Sequence, residues 1–366
     1  MLFSKRIHYV HLQSTITTIK CKTKVFINTF KKYQSNSKSV AVCYAEWSLL
    51  HTSVGAFLGY TVASAFFWNF PHWLHKKKNI SFTCAHISHR GGSAEGYENT
   101  IKNFRNAVEK GTNMLELDVR LTKDGQVVVF HDSSLLRVAG TDSNIANVDY
   151  DSLPSLSMTV PIDTVPGESF TDQTWSDEER RIPLLREVFE EFADVPINID
   201  LKENDSRLIK EVSELINEFQ RANLTVWGSF NNEVCKECYR INPDVRLFFS
   251  AKRVVVLLLC AFTGLLPFMP IKETHYEIFL PMSIKKRRLK QVPELPFSEK
   301  CLFWACETFL VWKPLINHLK NRGIHVYFWV CNDDDEFAEC NKLGANGCMT
   351  DRPTLLREFL NTKSTE

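Results

Sequence analysis

Two acidic residues in one short apolar run are the first sign of chemistry in this chain. Glu116 and Asp118 lie two residues apart in the run Met114–Arg120, and side chains at that spacing share one face of a β-strand. Two carboxylates on a buried face repel each other unless a cation neutralises them. The spacing therefore predicts a metal site, and ligands that are all oxygen favour Mg²⁺ or Ca²⁺ over zinc.

A second pair of ionisable residues repeats this spacing. Asp200 and Lys202 alternate with apolar residues in the run Pro196–Lys202, so they share a face as well. We predict Asp200 as a third carboxylate ligand and Lys202 as a contact for the substrate. A structural ion pair between the two side chains is the alternative interpretation.

Two histidines at the ends of apolar runs supply side chains that titrate near neutral pH. His89 closes the first run and is followed by Arg90, and His131 closes a later run. An arginine and a cation can neutralise the oxygens of a phosphodiester, while two histidines serve as general base and general acid. The base can deprotonate water or a neighbouring hydroxyl of the substrate, and the second route gives a cyclic phosphate first.

The position of His131 depends on a turn. The run that ends at His131 follows Met114–Leu121 across Asp124-Gly125, a connection too short for parallel neighbours, so we predict an antiparallel arm. With a two-residue turn, position 131 lies opposite Asp118 and beside the carboxylate pair. A change of one residue in register would move His131 to the other face.

The elements that must position these residues alternate along the chain. Eight apolar runs with amphipathic helices between most of them predict an α/β fold with a parallel sheet, specifically a (β/α)₈ TIM barrel with an inserted hairpin. Residues 133–181 have an irregular pattern of apolar residues, and we interpret them as an insertion over the barrel mouth or as a variable surface loop. The predicted strands are His86–His89, Met114–Arg120, Pro196–Lys202, Leu224–Ser229, Arg246–Ser250, Glu277–Pro281, His325–Val330 and Gly347–Thr350.

Three further residues near predicted strand ends have open roles. Trp329 either forms a wall of the substrate pocket or belongs to the core. Asp351 precedes Arg352-Pro353 and is predicted to cap the last helix. Glu98 begins the helix after the first strand and either caps it or supports the site.

Composition excludes some classes of protein. The formal net charge of +1 over 366 residues argues against a nucleic-acid-binding protein, which would carry a basic excess. The 11 cysteines are odd in number and scattered, which argues against a disulfide scaffold or a zinc module.

The N-terminal region differs from the rest. Residues 1–46 form a basic leader with no acidic residue before Glu46, which we interpret as a disordered tail or a transit-peptide-like segment. Residues 47–72 are predicted to form a transmembrane anchor, because the charge-free stretch from Ser48 to Phe70 is long enough to span a bilayer. A cleaved signal segment and an amphipathic surface helix are the alternatives.

Several motifs together resemble the glycerophosphodiester phosphodiesterase family. They are HISHRGGSAEGYENT, LELDVRLTKDGQVVVFHD, INIDLK, FWVCND and MTDRP, in the order of the family. The resemblance implies a barrel over residues 81–362. It also implies an acid–base pair of His89 and His131, a phosphate contact from Arg90, and a metal held by Glu116, Asp118 and Asp200 with His131 close by. Many members carry Glu where this chain has Asp200, and Thr-Val-Asn where it has Val330-Cys331-Asn332.

The anchor and the apolar segment 254–269 are similar to those of the small membrane-bound branch of this family. That resemblance implies a lysophospholipase D that releases choline or ethanolamine from lysophospholipids at the endoplasmic reticulum or another intracellular membrane. Segment 254–269 is too short for a comfortable span, and a crossing would separate strands of one barrel. We therefore interpret it as a lipid-facing helix, with a buried barrel helix as the alternative.

Two other functions remain open from the sequence. A water-soluble glycerophosphodiester is the competing substrate within the family. A catalytically silent lipid-binding barrel is the competing protein class, although such proteins usually lack one of the essential groups, and none is missing here.

Overall fold

Residues 37–363 are described by the computed structural model, with side chains from residue 44 onward. Most of the predicted basic leader thus lies outside the described residues. The chain divides into two units between Ala65 and Phe66. The helices are α1 (Ser37–Asn69), α2 (Ile101–Glu109), α3 (Leu136–Ala139), α4 (Leu185–Glu191), α5 (Ser206–Glu218), α6 (Asn232–Ile241), α7 (Ala251–Phe262), α8 (Pro281–Gln291), α9 (Phe297–Ala305), α10 (Lys313–Asn321), α11 (Asp334–Leu343) and α12 (Pro353–Lys363).

One apolar helix begins the described part of the chain. Within α1, the stretch Tyr44–Asn69 is long enough and apolar enough to cross a membrane, and no other helix among residues 37–363 meets both conditions. Large apolar side chains such as Leu49, Phe57 and Val62 are exposed along it. By length and composition, this helix is a candidate membrane span.

The second unit is built around a ring of parallel strands. The strands are β1 (His86–Ser88), β2 (Met114–Leu121), β3 (Val127–Val129), β4 (Thr159–Pro161), β5 (Ser169–Thr171), β6 (Ile197–Leu201), β7 (Thr225–Gly228), β8 (Arg246–Leu247), β9 (His275–Phe279), β10 (His325–Trp329) and β11 (Gly347–Thr350). Eight of them follow the order β8-β7-β6-β2-β1-β11-β10-β9, and a parallel bridge between Phe248 and His275 joins the two ends. The predicted (β/α)₈ barrel is therefore confirmed.

The strands and helices form where the sequence favours them. Strands β6 and β7 are buried along their whole length, as expected for parallel strands covered on both faces. Helix α5 buries one stripe, including Leu208, Val212 and Ile216, and its N-cap Asp205 accepts a hydrogen bond from the backbone of Arg207. The eight predicted barrel strands are all present, although β9 begins at His275 rather than Glu277 and β8 is only two residues long.

The register of the hairpin arm differs from the prediction. Strand β3 is antiparallel to β2 as predicted, but Val119 pairs with Val129 and Leu121 with Val127. The amide of Phe130 donates to the carbonyl of Asp118, so Phe130, not His131, lies opposite Asp118. The prediction was wrong by one residue because the loop closes between Thr122 and Gln126, and not as a two-residue turn.

Residues 133–181 have structure of their own. They contain α3, short 3₁₀ turns and the antiparallel pair of β4 and β5. Their side chains contribute to a separate apolar cluster with Tyr97 and Phe130, whose members from the segment include Leu135, Leu156 and Trp175. A hydrophobic cluster of this kind holds the segment in a defined position beside the barrel.

Two other sequence features have plain structural roles. Cys235 and Cys238 have the spacing of a metal-binding motif, but both are buried, free thiols on α6, and burial raises the pKa of Cys235 to about 12. The apolar segment that begins at Val254 lies in α7 and in the 3₁₀ turn Leu266–Phe268.

Candidate active site

A cavity of about 320 Å³ opens at the carboxyl ends of the barrel strands, where sites of this fold lie. Of the residues predicted for the site, all but Asp118 line it. The lining includes His89, Arg90, Glu116, His131, Asp200, Lys202 and Trp329. The carboxyl ends of five different strands or the turns after them thus contribute to one cavity.

A tight turn after β1 positions His89 and Arg90. Arg90 has φ of 50° and Gly92 has φ of 96°, a region that costs free energy for a residue with a side chain. A Cβ atom at Gly92 would lie 2.6 Å from Cδ of Pro353, so only glycine fits between this turn and the start of α12. The turn therefore fixes His89 at the cavity wall.

The imidazole of His89 is held by a buried carboxylate. Its Nδ1 donates to Oδ1 of Asp351 at 2.7 Å, and its Nε2 lies 3.9 Å from Oε2 of Glu116. Burial disfavours the charged ring, but Asp351 and Glu116 outweigh it and raise the pKa of His89. The contact with Asp351 fixes the ring orientation and leaves Nε2 for the cavity.

Asp351 was predicted to cap the last helix, and this prediction was wrong. Its carboxylate instead contacts residues of the site. Besides His89, its carboxylate accepts hydrogen bonds from Ser93 at 2.7 Å, from Asn332 at 2.8 Å and from the hydroxyl of Thr164. Burial opposes ionisation, but His89 and these hydroxyl donors outweigh it and lower the pKa of Asp351. Asp351 is therefore a carboxylate that positions a histidine.

His131 reaches the cavity from the loop after β3. Its Nδ1 donates to Oδ1 of Asp132 at 2.6 Å, and its carbonyl accepts from Nε of Arg120 at 2.8 Å. Asp132 is held in turn by Arg137 at 2.7 Å. His131 thus lines the cavity although its strand register is not the predicted one, because it lies beyond the last residue of β3.

Arg90 is surrounded by carboxylates. Its Nη1 and Nη2 donate to the two oxygens of Asp163 at 3.1 and 3.2 Å, and its Nη1 donates to Glu98 at 3.0 Å. Nε lies 3.3 Å from Oδ2 of Asp118. Glu98 therefore supports the site rather than capping its helix. Asp163, from segment 133–181, occupies the two Nη donors with which a guanidinium group binds an oxyanion.

Asp118 is buried and does not line the cavity. It faces Asp200 on the neighbouring strand, and Lys202 lies between them, with Nζ 2.8 Å from Asp118 and 2.6 Å from Asp200. Burial opposes the charge of Asp118, but Lys202 and Arg90 outweigh it and lower its pKa. The ion pair between Asp200 and Lys202, which was the alternative interpretation of the sequence, is thus present.

Two other buried acids, Glu116 and Glu277, have no lysine or arginine ion-pair partner among the described residues. Burial and the nearby Asp118 raise the pKa of Glu116 to about 7. Burial raises the pKa of Glu277 to about 8, although Nδ2 of Asn198 donates to it at 2.7 Å. The cavity lining carries the four carboxyl groups of Glu116, Asp163, Asp200 and Glu277 but only two permanent cations, Arg90 and Lys202. Such an excess of acidic groups raises carboxyl pKa values.

The excess of acidic groups bears on whether a divalent cation fits this cavity. Among the residues that the structure describes, the buried Oδ1 of Asp200 and Oε1 of Glu277 accept no hydrogen bond. Unsatisfied carboxylate oxygens beside Glu116 match the hard oxygen ligands that Mg²⁺ and Ca²⁺ prefer. Glu116, Asp118 and Asp200 would hold such an ion, and it would supply positive charge to a bound phosphoryl group.

A more compact set of ligand atoms lies at the cavity rim. Ligand atoms of His131, Asp132 and Asp163 are all within 4.8 Å of one another, and within residues 37–363 no other group of this kind meets that limit. Asp132 and Asp163 are already paired with Arg137 and Arg90. Asp118 and Asp200 are likewise paired, with Lys202, whereas Glu116 has no lysine or arginine ion-pair partner among the described residues. Glu116 is therefore the carboxylate that most needs a cation.

An aromatic wall faces the charged side of the cavity. Trp329, Phe230, Phe248 and Phe249 line it, and the ring of Phe230 packs edge-on against Trp329 at 5.6 Å. Trp329 thus belongs to the cavity wall. A cavity with one charged and one apolar side fits a substrate with a phosphate and a hydrocarbon part.

The sequence interpretation missed several lining residues. Glu277 and Asn198 could have been found, because each is a polar residue in an apolar strand, as Asp200 is. Asp163 and Thr164 carry no such signal, since they lie in the irregular segment 133–181.

The fold and the site define a (β/α)₈ barrel with paired histidines, an arginine and an acidic cluster at its mouth. The chain belongs to the glycerophosphoryl diester phosphodiesterase family, whose model matches residues 89–355, and members of this family generally bind a divalent metal ion.

Known proteins similar to this chain agree with that assignment. Lysophospholipase D GDPD1 of Homo sapiens is 45% identical over 307 residues, which cover 84% of this chain and 95% of that protein. Lysophospholipase D GDPD3 of Homo sapiens is 34% identical, with 85% and 96% covered. The glycerophosphoryl diester phosphodiesterase domain of Rv2277c from Mycobacterium tuberculosis has a TM-score of 0.59 at 16% identity, with 76% of this chain and all of that chain covered, and it supports the fold.

Proposed function

We propose that this chain is a lysophospholipase D, which cleaves lysophospholipids into lysophosphatidic acid and choline or ethanolamine. The observation that carries the proposal is that His89, His131 and Arg90 line one cavity with the acidic cluster. The 45% identity to a relative named lysophospholipase D supports the choice of substrate.

The two histidines are suited to move protons on either side of a phosphorus atom. Each Nδ1 is fixed by a carboxylate, Asp351 for His89 and Asp132 for His131, which leaves Nε2 of each ring for the substrate. One ring takes the proton of the attacking hydroxyl or water, and the other gives a proton to the oxygen of the leaving alcohol.

Arg90 is suited to bind the phosphate. Its forked edge is paired with Asp163, so the phosphate takes the place of a carboxylate of similar geometry. Glu98 and Asp118 contact the guanidinium from other directions and keep it in place during this exchange. Glu116, Asp118 and Asp200 would hold a Mg²⁺ or Ca²⁺ ion, which would supply positive charge to the bound phosphate.

A substrate panel tests the proposal. The purified full chain is incubated with lysophosphatidylcholine or with water-soluble glycerophosphocholine, each with Mg²⁺, with Ca²⁺ or with a chelator, and choline release is measured. We expect release from the acylated substrate to be faster and to stop with the chelator. His72→Ala, at an exposed histidine outside the cavity, is the control and keeps the rate of the unaltered chain.

Two results would count against the proposal. Faster release from glycerophosphocholine would assign the protein to water-soluble substrates, which the charged side of the cavity also suits. Lipid binding without any metal-dependent choline release would indicate a catalytically silent lipid-binding barrel.

A further inference from the structure

Helix α7 is apolar on two opposite sides. Val254, Leu257 and Ala261 are buried against the barrel, while Val255, Leu259 and Phe262 are 56%, 61% and 51% exposed. The exposed residues follow the spacing i, i+4, i+7, so they form one outer stripe. A helix on the surface of a water-soluble protein has a polar outer face, whereas α7 carries no polar or charged residue from Val254 to Phe262 apart from Cys260.

The stripe is part of a larger apolar surface. The ring of Phe262 packs against Phe309 at 4.9 Å and Trp312 at 5.7 Å. Phe309 contacts Trp304 of α9 at 5.7 Å, and Trp304 itself is 61% exposed. A contiguous exposed surface of this kind marks an interaction site rather than scattered apolar residues.

The last turn of α1, from Phe66 onward, belongs to the same unit as the barrel and is part of the same surface. Trp68 of α1 packs against Trp312 at 5.5 Å, and Phe67 packs against Phe268 at 5.8 Å. The stretch Tyr44–Asn69 that ends here is the one described helix that could cross a bilayer. Aromatic residues at the end of a span lie at the interface between lipid and water, so the apolar surface adjoins that interface.

The other end of the stripe adjoins the cavity. Phe249 lines the cavity two residues before α7 begins, and the amide of Ala251 donates to the carbonyl of Phe230 at 3.2 Å. Phe230 lines the cavity as well, yet it is 56% exposed. Phe230 therefore lies beside the first residue of α7, one helical turn before Val255, where the outer stripe begins.

We infer that the outer stripe of α7 lies in the lipid of a membrane leaflet, and that a single-chain lipid substrate moves from that leaflet along the stripe into the cavity. This inference rests on the proposed function and specifies where the substrate comes from. A lipid leaflet fits the surface because the residues are apolar, aromatic at the edge and continuous with the end of a span.

A double variant, Val255→Gln with Leu259→Gln, tests the path in the full chain. Both side chains are exposed, so the fold tolerates the change. With lysophosphatidylcholine in phosphatidylcholine vesicles, we expect turnover to fall about tenfold, since two apolar side chains lose their contact with lipid. With water-soluble glycerophosphocholine, we expect the rate to stay within about twofold. Leu136→Gln, at another exposed leucine, is the matched control and leaves both rates unchanged.

The two substrates separate this inference from the proposed function. Equal rates of the double variant and the unaltered chain on vesicles would overturn the inference and leave the proposed function intact. If the unaltered chain releases no choline from lysophosphatidylcholine, whether the lipid is supplied in vesicles or as micelles, the proposed function itself is contradicted.

Photochemical crosslinking identifies what covers the stripe. A benzophenone amino acid is introduced at Leu259 or at Leu136 of the full chain in vesicles, and the adducts are identified by mass spectrometry. Lipid adducts at Leu259 and not at Leu136 support the inference. Adducts of Leu259 with a second copy of the chain, or no lipid adduct, would overturn it.

Discussion

Histidines lie at both ends of the barrel, and their pKa values are shifted in opposite directions. At the mouth, the pKa of His89 is raised because Asp351 and Glu116 outweigh its burial. At the opposite end, His86, His275 and His325 begin strands β1, β9 and β10. Burial lowers the pKa of His86 and of His325 to about 4, and that of His275 well below its usual value.

The comparison shows that the partner, and not burial alone, decides the charge of a histidine. His89 has a carboxylate at 2.7 Å, whereas within the described part of the chain no ion pair joins a carboxylate to the three histidines of the other end. A ring with a carboxylate partner can carry a proton for chemistry, and a ring without one stays neutral as part of the core.

The largest effect is expected when the partner of His89 is removed. Asp351→Asn keeps the shape of the side chain but removes the charge that orients the ring and stabilises its protonated form. We expect kcat to fall about 10²- to 10⁴-fold, with KM almost unchanged because Asp351 does not reach the substrate. Steady-state kinetics on lysophosphatidylcholine measure both constants.

Asp142→Asn, at an exposed aspartate, is the control for Asp351→Asn. An unchanged kcat in a folded Asp351→Asn protein would show that the carboxylate has no part in the reaction. The comparison between the two ends of the barrel would then have no functional meaning.

A smaller effect is expected from Arg90→Lys. Lysine keeps the charge but cannot contact Glu98, Asp118 and a phosphate at the same time, because it lacks the planar fork of arginine. We expect kcat/KM to fall about a hundredfold, or ~2.7 kcal/mol. Arg105→Lys, at an exposed arginine paired with Glu191, serves as the control, and equal losses in both variants would contradict a phosphate contact at Arg90.

The smallest effect concerns stability at the other end of the barrel. The pKa of His86 is lowered in the folded state, so below pH 6.5 the unfolded chain binds a proton that the folded chain does not. Stability is therefore lost as the pH falls from about 6.5 towards 4, by roughly 1.6 kcal/mol between pH 6.5 and 5 for one such histidine. Urea unfolding at several pH values measures this slope.

Variants separate the contribution of these histidines to the slope. His86→Leu is expected to make the loss of stability below pH 6.5 smaller, whereas His72→Leu, at an exposed histidine, leaves it unchanged. An equal slope in the unaltered chain and in His86→Leu would contradict a neutral, buried His86.

Much of the barrel could be predicted because its signals are local. Parallel strands covered on both faces are short apolar runs, and the pattern of β2, β6 and β10 is strong enough to identify them. The register of β3 could not be predicted, since it depends on how the loop Thr122–Gln126 closes, and several closures have similar energies.

The site could be predicted where polar residues interrupt apolar strands. Glu116, Asp200 and Lys202 stand out by that contrast, and the structure places them at the cavity. Asp351 was assigned to helix capping because an acidic residue before a helix usually caps it, and only the packing of β1 beside β11 brings it to His89. Asp163 depends on the fold of segment 133–181, which has no repeating pattern.

A double-mutant cycle of the two histidines tests the central claim most directly. Choline release is measured for His89→Ala, His131→Ala and the double variant of the full chain. If both rings act on one phosphorus atom, each single change lowers kcat about 10²- to 10⁴-fold and the double variant is hardly slower than the slower single variant. Near-normal rates in either single variant, or losses that simply multiply, would contradict the account.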